Sequence, residues 1–502
     1  MHIVHIAAEL APVAKAGGLG DVVLGLNREL VAHGNDVEVI LPKYDVTEWD
    51  QVEGLKVIEE NLMSFYDGQL HRNTIWSGMV LGLPVFFIEP HHPDNFFERE
   101  CFYGCEDDAA RFLYFSRAAL QFLEDRGRSP DIIHHHDWHT AAVGLLFKEV
   151  YAKRGKLNSS LVLTVHNFQY QGQCGATEFD RLGLDGSAML SNDKAKDDNY
   201  DNCINLLKGG IAYADFITTV SPRHATEVMT PKDGHGLDAA IRKYDYKFTG
   251  ILNGLDYGYW NPETDPMLPA NFSHRVQPAH DDDIITLPQK SLCKKMLRIK
   301  CGLADTHRPI VGCVARLVPQ KGVHLIKHAI ERTLELNGQF VLLGSSPIDS
   351  IQKDFHGLKN RMSSNPNVHM HLQHREDLVH LIFGGSDMFI VPSLFEPCGL
   401  TQLIALRHGT VPIVRHTGGL ADTIIDVDAP NVAFDQANGY SFITPDAVGV
   451  NSALDRAIKC WYNTPDRWRR LAINGMKMNF SWAQSAKKYL DIYESVAETV
   501  TV

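Results

Sequence analysis

Residues 392–402, Pro-Ser-Leu-Phe-Glu-Pro-Cys-Gly-Leu-Thr-Gln, place one carboxylate beside two backbone-bending residues and the start of a helical pattern. An apolar run, Asp387–Val391, precedes them and reads as a buried strand; Leu403–His408 follows and reads as a helix, so the stretch is a strand-to-helix turn. Pro397 and Gly399 allow the chain to bend sharply, and uncommitted N–H groups at a helix start can face an anion such as phosphate. With Glu396 next to that anion position, the chemistry suits a ligand carrying a negative group beside hydroxyls, as a nucleotide sugar does. The same residues also fit a plain connection, and the rest of the chain decides between the two.

Other polar residues fall, repeatedly, just after an expected strand. Lys15 with Gly17, Gly18 and Gly20, then Asp21, follows the strand His2–Ala8. His134-His-His-Asp137-Trp-His139 closes the strand 132–136, and His166, Asn167 and Tyr170 close the strand 161–166. Farther on, Arg316 and Lys321 follow 310–315, Gly344-Ser-Ser346 follows 339–343, and Thr417-Gly418-Gly419 follows 411–415. Ligands of open parallel sheets bind outside the carboxyl ends of strands, and two such edges facing each other would form one cleft.

Each group admits two readings. The Lys15 loop lacks both the Walker A spacing and G-x-G-x-x-G, so it is a phosphate cradle or an ordinary turn. Arg316 and Lys321, five apart around Pro319-Gln320, are solvated cations or a pair that stabilises a diphosphate leaving group. His134 and His136 share a strand face, and with Asp137 and His139 they could serve a metal-dependent hydrolase. The H-E-x-x-H pattern of zinc helices is absent, which leaves core or acceptor-site histidines as the other reading.

The elements that must position these residues alternate as strand and helix. The chain opens as a βαβ unit, His2–Ala8, helix 22–33 and Asp36–Leu41, with further strands at 84–88, 132–136, 161–166 and 216–220 and helices at 107–126, 141–151 and 203–214. Between 253 and 289 the pattern fails in a run with five prolines and the acidic triplet Asp281–Asp283, a solvated linker pattern. It restarts at Pro309 with strands at 310–315, 339–343, 368–372, 388–391 and 411–414. These readings predict an α/β protein of two parallel-sheet domains, 1–255 and 291–481. They are joined by a connection at 256–290, with a hinge expected near 253–290 that closes when donor binds, and are followed by a C-terminal helix, 482–502, that crosses back to the first.

Length and composition agree. A chain of 502 residues exceeds one compact core, and 44% apolar with 22% charged residues is ordinary for a globular protein. Its net charge of −13 argues against nucleic acid and anionic membranes as partners, so a bound anion must meet a local basic pocket. No apolar stretch reaches a membrane-spanning length, and a strand beginning at Met1 leaves no room for a targeting peptide. The expectation is the cytosol, or the plastid if a transit peptide has been removed. Nine scattered cysteines fit a reduced protein, with Cys101 and Cys105 the one pair close enough in sequence to suggest pairing.

Taken in order, Lys15-Ala-Gly-Gly-Leu-Gly-Asp21, His134-His-His-Asp-Trp138, Thr164-Val-His-Asn-Phe-Gln-Tyr-Gln-Gly172, Asn253-Gly-Leu-Asp256, Ala315-Arg-Leu-Val-Pro-Gln-Lys-Gly322, Phe395-Glu-Pro-Cys-Gly-Leu-Thr-Gln402 and Thr417-Gly-Gly-Leu420 resemble the bacterial glycogen synthases and plant starch synthases. The Lys-Ala-Gly-Gly form, with His-Asn-Phe-Gln-Tyr-Gln-Gly, is most similar to the starch synthase III/IV branch. The resemblance implies a GT-B fold, two Rossmann-like domains facing each other across a cleft. It also implies retaining transfer of glucose from ADP-glucose to the non-reducing 4-hydroxyl of an α-1,4-glucan or maltooligosaccharide, with no cofactor and no metal.

By the same resemblance, Lys15, Gly17 and Gly18 would approach the donor phosphates, with Asp21 beside them, and Arg316 and Lys321 would hold the diphosphate. Cys398, Gly399, Leu400 and Thr401 would surround that group, Glu396 would bind hydroxyls of the donor glucose, and Thr417 and Gly418 would border it. Asp137 and His166 would lie by the reacting sugar and acceptor, and Tyr170 and Asn253 nearby. His374 stands where many relatives place a tyrosine near the nucleobase, Leu394 where many have arginine, and Ile404 where the animal and fungal enzymes carry a second glutamate. A catalytically inactive glucan-binding protein of the same fold is the remaining alternative.

Overall fold

The computed structural model describes residues 1–127, 129–275 and 287–500, with 499 and 500 as backbone only. The acidic triplet Asp281–Asp283 lies outside the described residues. The chain divides into two compact units, one formed by Met1–Gly254 with Trp482–Val502 and the other by Leu255–Ser481.

The first unit is built on a nine-stranded sheet. From edge to edge it runs Phe248–Gly250, Phe216–Thr219, Ser160–Val165, Ile132–His136, His2–Ile6, Asp36–Pro42, Leu83–Pro90, Gln69–Val80 and Glu53–Tyr66. Neighbours are parallel except at the last two pairings, which are antiparallel. Counting the parallel strands along the chain, their spatial order is 7-6-5-4-1-2-3, so the winding reverses between His2–Ile6 and Ile132–His136. The hairpin Glu53–Tyr66 and Gln69–Val80 corrects the expectation of a wholly parallel sheet. Its first strand is exposed over most of its length and shows no clean apolar alternation, so pattern alone conceals it. The turn did carry a signal: Asp67 and Gly68 both have positive φ, 50° and 75°, the conformation an Asp-Gly pair adopts in a two-residue hairpin.

The helix expected from Val22 begins earlier, at Gly18, and runs to Ala32; the one expected at 141–151 begins at Asp137. Both helices therefore start on candidate site residues. On the C-terminal helix, Trp482–Val500, a stripe at 3.6-residue spacing (Ala486, Tyr489, Ile492, Tyr493, Val496) is buried in the first unit. Gly25 is required there, since a Cβ on it would lie 1.9 Å from the Trp482 indole nitrogen.

The second unit has six parallel strands in the order Val368–His371, Gln339–Leu343, Ile310–Val314, Met388–Val391, Val411–Arg415, Tyr440–Phe442, which is 3-2-1-4-5-6 along the chain. Alternate residues feed two cores: Phe340, Leu342 and Ile390 pack in one, Val341, Leu343 and Phe389 in the other. Burial on both faces is why these strands read as continuous apolar runs. A Phe340→Ala cavity would cost about 3–5 kcal/mol. Of the expected connection at 256–290, Leu268 and Phe272 pack in the second unit's core, and residues 288–301 form a helix with proline in its first turn. The winding of this sheet reverses between Ile310–Val314 and Met388–Val391, so the Lys15 and Asp137 loops in one unit, and the Arg316–Lys321 and Glu396 loops in the other, follow the two strands that flank a topological switch point.

Candidate functional site

In the second unit the loop Arg316–Gly322 leaves the strand Ile310–Val314 and folds back onto the chain leaving Met388–Val391. Gly322 makes this possible: its φ is +68° and a Cβ would lie 2.4 Å from the Pro392 carbonyl oxygen. The Leu394 N–H donates to the Gln320 carbonyl at 2.8 Å. This register brings Lys321 against Glu396, Nζ to Oε2 2.5 Å, and the Ser393 hydroxyl donates to the same oxygen at 2.8 Å. The carboxylate is 7% exposed, so an ammonium and a hydroxyl together hold a nearly buried anion at the strand end.

The turn after Glu396 is braced from below. Gly399 takes φ +75°, and the Gln402 side-chain amide donates to the carbonyls of Cys398 at 3.1 Å and Gly399 at 2.8 Å. Gly418 and Gly419 press on the other side, where a Cβ would lie 2.0 Å from the Glu396 carbonyl oxygen and 2.1 Å from that of Cys398. The Gly419 N–H donates to the Glu396 and Pro397 carbonyls, both at 3.1 Å. Gly418 and Gly419 thus pack on the turn's backbone, and Cys398, within the turn, is 5% exposed. A cavity of about 370 Å³ opens beside this turn, and Arg316, Lys321, Gly344, Ser345, His374, Ser393 and Thr401 line it. Arg316 is exposed at its wall, and His374 lies at its edge with Nε2 3.0 Å from Glu376.

In the first unit the loop before helix Gly18–Ala32 is clamped by Glu9, a residue the sequence reading passed over. Its Oε2 accepts the N–H groups of Ala16 and Gly17, both at 2.8 Å, and its Oε1 accepts the Tyr103 hydroxyl at 2.9 Å. Lys15 is exposed and paired with Asp21 at 2.8 Å. A Cβ on Gly18 would meet nothing within 4 Å, so packing does not demand glycine there.

Asp137 heads its helix with φ +57°, strained for a residue with a Cβ. Its Oδ1 accepts the His166 N–H at 2.6 Å and that of Asn167 at 3.4 Å, which ties two strand ends together. Burial raises its carboxyl to about 7, against the two N–H groups that favour the anion. Behind it runs a chain of imidazoles: His5 Nδ1 lies 2.9 Å from His136 Nε2, and His136 Nδ1 lies 3.1 Å from His166 Nε2. Burial pushes His5 and His166 down to about 3 and His136 well below its usual value, so all three are neutral. A neutral imidazole donates once and accepts once, and the far nitrogen of His5 is buried without a partner. Leaving a lone pair unmatched there costs less than leaving an N–H, so the donors point from His5 toward His166, whose Nδ1 then carries a hydrogen. Tyr170 is exposed; Asn253 is buried.

The atoms of His5, His134 and His136 lie within 4.8 Å of one another, a possible metal-holding group. Asp137 and His139, expected to complete a hydrolase site, are not part of it. Both nitrogens of His134 are engaged, at 2.6 Å to the Tyr493 hydroxyl and 2.6 Å to that of Thr164. A cation would have to displace a hydrogen-bonded core network.

Two family profiles match the chain: the starch synthase catalytic domain at residues 2–243 and glycosyl transferases group 1 at 299–475. A glycogen synthase of Protochlamydia amoebophila is 57% identical over 497 residues, 99% of each chain. A probable starch synthase 4 of Arabidopsis thaliana is 48% identical over 98% of this chain, which spans 47% of that relative. Among solved structures, the catalytic domain of starch synthase IV from Arabidopsis thaliana, bound to ADP and acarbose, superposes with TM-score 0.93 at 47% identity over 99% of both chains. A sucrose-phosphate synthase from Thermosynechococcus elongatus, at TM-score 0.60 and 18% identity, shares the fold. Two doubly wound sheets, each with its polar loops at a switch point, are the GT-B arrangement, and the chain belongs to the family of bacterial glycogen synthases and plant starch synthases.

Proposed function

We propose that the protein is an ADP-glucose-dependent glucosyltransferase that elongates an α-1,4-glucan with retention of configuration. The observation that carries this reading is the Lys321–Glu396–Ser393 cluster beside the cavity at the switch point of the second sheet. A carboxylate suited to sugar hydroxyls sits next to cations and a turn whose N–H groups, at Gly399–Thr401, suit a diphosphate. The relatives named above support the donor and acceptor classes.

In this reading Arg316 and Lys321 neutralise charge as the diphosphate departs, and Glu396 orients the glucose. The Lys321 ammonium, free to swing from Glu396, serves carboxylate and phosphate in turn. Bare backbone at Gly18 gives an anionic group close approach beside Lys15. Asp137 and the Nδ1–H of His166 face the reacting sugar and acceptor. The diphosphate oxygen accepts the proton of the attacking hydroxyl on the face it leaves, so no carboxylate nucleophile is required. His374, largely exposed, borders the nucleobase.

Transfer needs no divalent ion in this scheme, because protein cations and N–H groups meet the phosphate charge. Turnover in excess EDTA is therefore expected to equal that in its absence; abolition, with recovery on adding a metal, would return weight to the histidine cluster. The Asp137 shift predicts a pH dependence. Its carboxyl keeps its proton in the fold up to about 7 and gives it up near 4 when unfolded. The group thus favours folding at acid pH and that contribution is lost as pH rises through 7. With the anion the working form, kcat should fall below pH 7, and Asp137→Asn should remove that inflection. A pH–rate profile of both proteins checks it.

The reading as a whole is tested by incubating the protein with labelled ADP-glucose or UDP-glucose and a maltooligosaccharide primer, then sizing the products. Primers lengthened by single glucose units, faster with ADP-glucose, are expected. Label released only as free glucose would overturn it.

A further inference from the structure

Cys101 and Cys105 stand apart from the site residues, yet their sulfurs lie 3.4 Å from each other and both are partly exposed. The intervening loop is held in that posture by its own bonds. Gly104 takes φ +103° and its N–H donates to Asp108 at 2.6 Å, while Arg111 donates to the Phe102 carbonyl and reaches Cys105 Sγ at 3.6 Å. A disulfide needs its sulfurs about 2.05 Å apart, so the thiols are a small movement from bonding.

Tyr103, at the middle of the five residues such a bond would close, donates its hydroxyl to Glu9, the carboxylate that clamps Ala16 and Gly17. The pair is thus one hydrogen bond from the clamp on the Lys15 loop. We propose that Cys101 and Cys105 are a modification site, forming a reversible disulfide by exchange with a glutathione-type disulfide, and that closing it draws Tyr103 off Glu9 and lowers glucosyl transfer. The functional half of this inference rests on the role given above to the Lys15 loop.

The exchange balances in two steps. The Cys101 thiolate attacks the external disulfide, forming a mixed disulfide and expelling one thiolate. Cys105 then loses its proton and attacks the Cys101 sulfur, expelling the second. The protein dithiol is oxidised by two electrons, the external disulfide is reduced to two thiols, and the two cysteine protons pass to the expelled thiolates. Burial and the neighbouring thiol hold Cys105 up at about 11, which disfavours it as the first attacker, and the 3.4 Å between the sulfurs then makes its own attack intramolecular.

The test treats the full chain with oxidised glutathione and maps cysteines by mass spectrometry while measuring transfer. The expected result is a 101–105 disulfide, a fall in rate of roughly tenfold, about the lower end of the worth of one hydrogen bond to a carboxylate, and full recovery with dithiothreitol. Cys101→Ser should keep the reduced rate under both conditions. Tyr103→Phe should form the same disulfide with no difference between oxidised and reduced rates, because the link to Glu9 is already gone. Thiols that stay free, or a disulfide that leaves the wild-type rate unchanged, would overturn the proposal. Absence of transfer in the reduced wild type would instead count against the activity itself, and the cysteine mapping would still read out the bond.

Discussion

Lys321→Ala is expected to lower kcat by about 10²–10³-fold while the protein stays folded. Lys321 is only partly buried, so its loss opens little cavity, and the Ser393 hydroxyl still holds Glu396. In the proposed reaction, what disappears is the positive charge that a departing diphosphate would meet. Glu396→Ala should show a comparable fall, with the defect shared between sugar orientation and the position of Lys321. Because the two side chains touch, the double variant should be far less impaired than the product of the single effects. Steady-state kinetics with thermal unfolding separates these outcomes. Near wild-type turnover in Lys321→Ala would remove the diphosphate from this position.

Glu9→Ala should give the second large effect, through the shape of a loop. The carboxylate is 2% exposed and satisfies three donors, Ala16 N–H, Gly17 N–H and the Tyr103 hydroxyl. Hydrogen bonds to a charged group contribute about 1.5–3 kcal/mol each, and solvent can replace part of that at the partly exposed Gly17. A loss of about 2–3 kcal/mol in stability is expected, with a rise of roughly tenfold in KM for the sugar nucleotide. Glu9→Gln should be much less damaging, since its carbonyl oxygen can still accept the Ala16 and Gly17 N–H groups and its amide can donate to the Tyr103 hydroxyl oxygen. An unchanged KM beside lowered stability would make Glu9 structural only.

The second unit was more legible in the sequence than the first, and for a physical reason. Its strands Gln339–Leu343 and Met388–Val391 are buried on both faces, so they stand out as short apolar runs with unambiguous ends. In the first unit the exposed strand Glu53–Tyr66 mixes charged and apolar side chains without clean alternation, and only the Asp67-Gly68 turn betrayed it. The site divides the same way. Glu396, Arg316 and Lys321 could be picked out because unusual residues followed plain strands. Glu9 and Gln402 could not, since a carboxylate or amide that holds backbone N–H and C=O groups has no fixed partner in sequence. His5 was hidden too: a histidine in the short strand His2–Ile6 gives no hint that it orders His136 and His166. That Gly418 and Gly419 brace the turn is visible only in their close approach to the Glu396 and Cys398 carbonyls.

The central claim is transfer with retention at a non-reducing end. It is tested most directly by following the reaction of ADP-glucose and a maltooligosaccharide by proton NMR as it proceeds. The account predicts that α-anomeric 1,4-linkage signals grow in step with ADP and that no free glucose accumulates. New β-linkages, or ADP appearing with free glucose in place of lengthened chains, would contradict it.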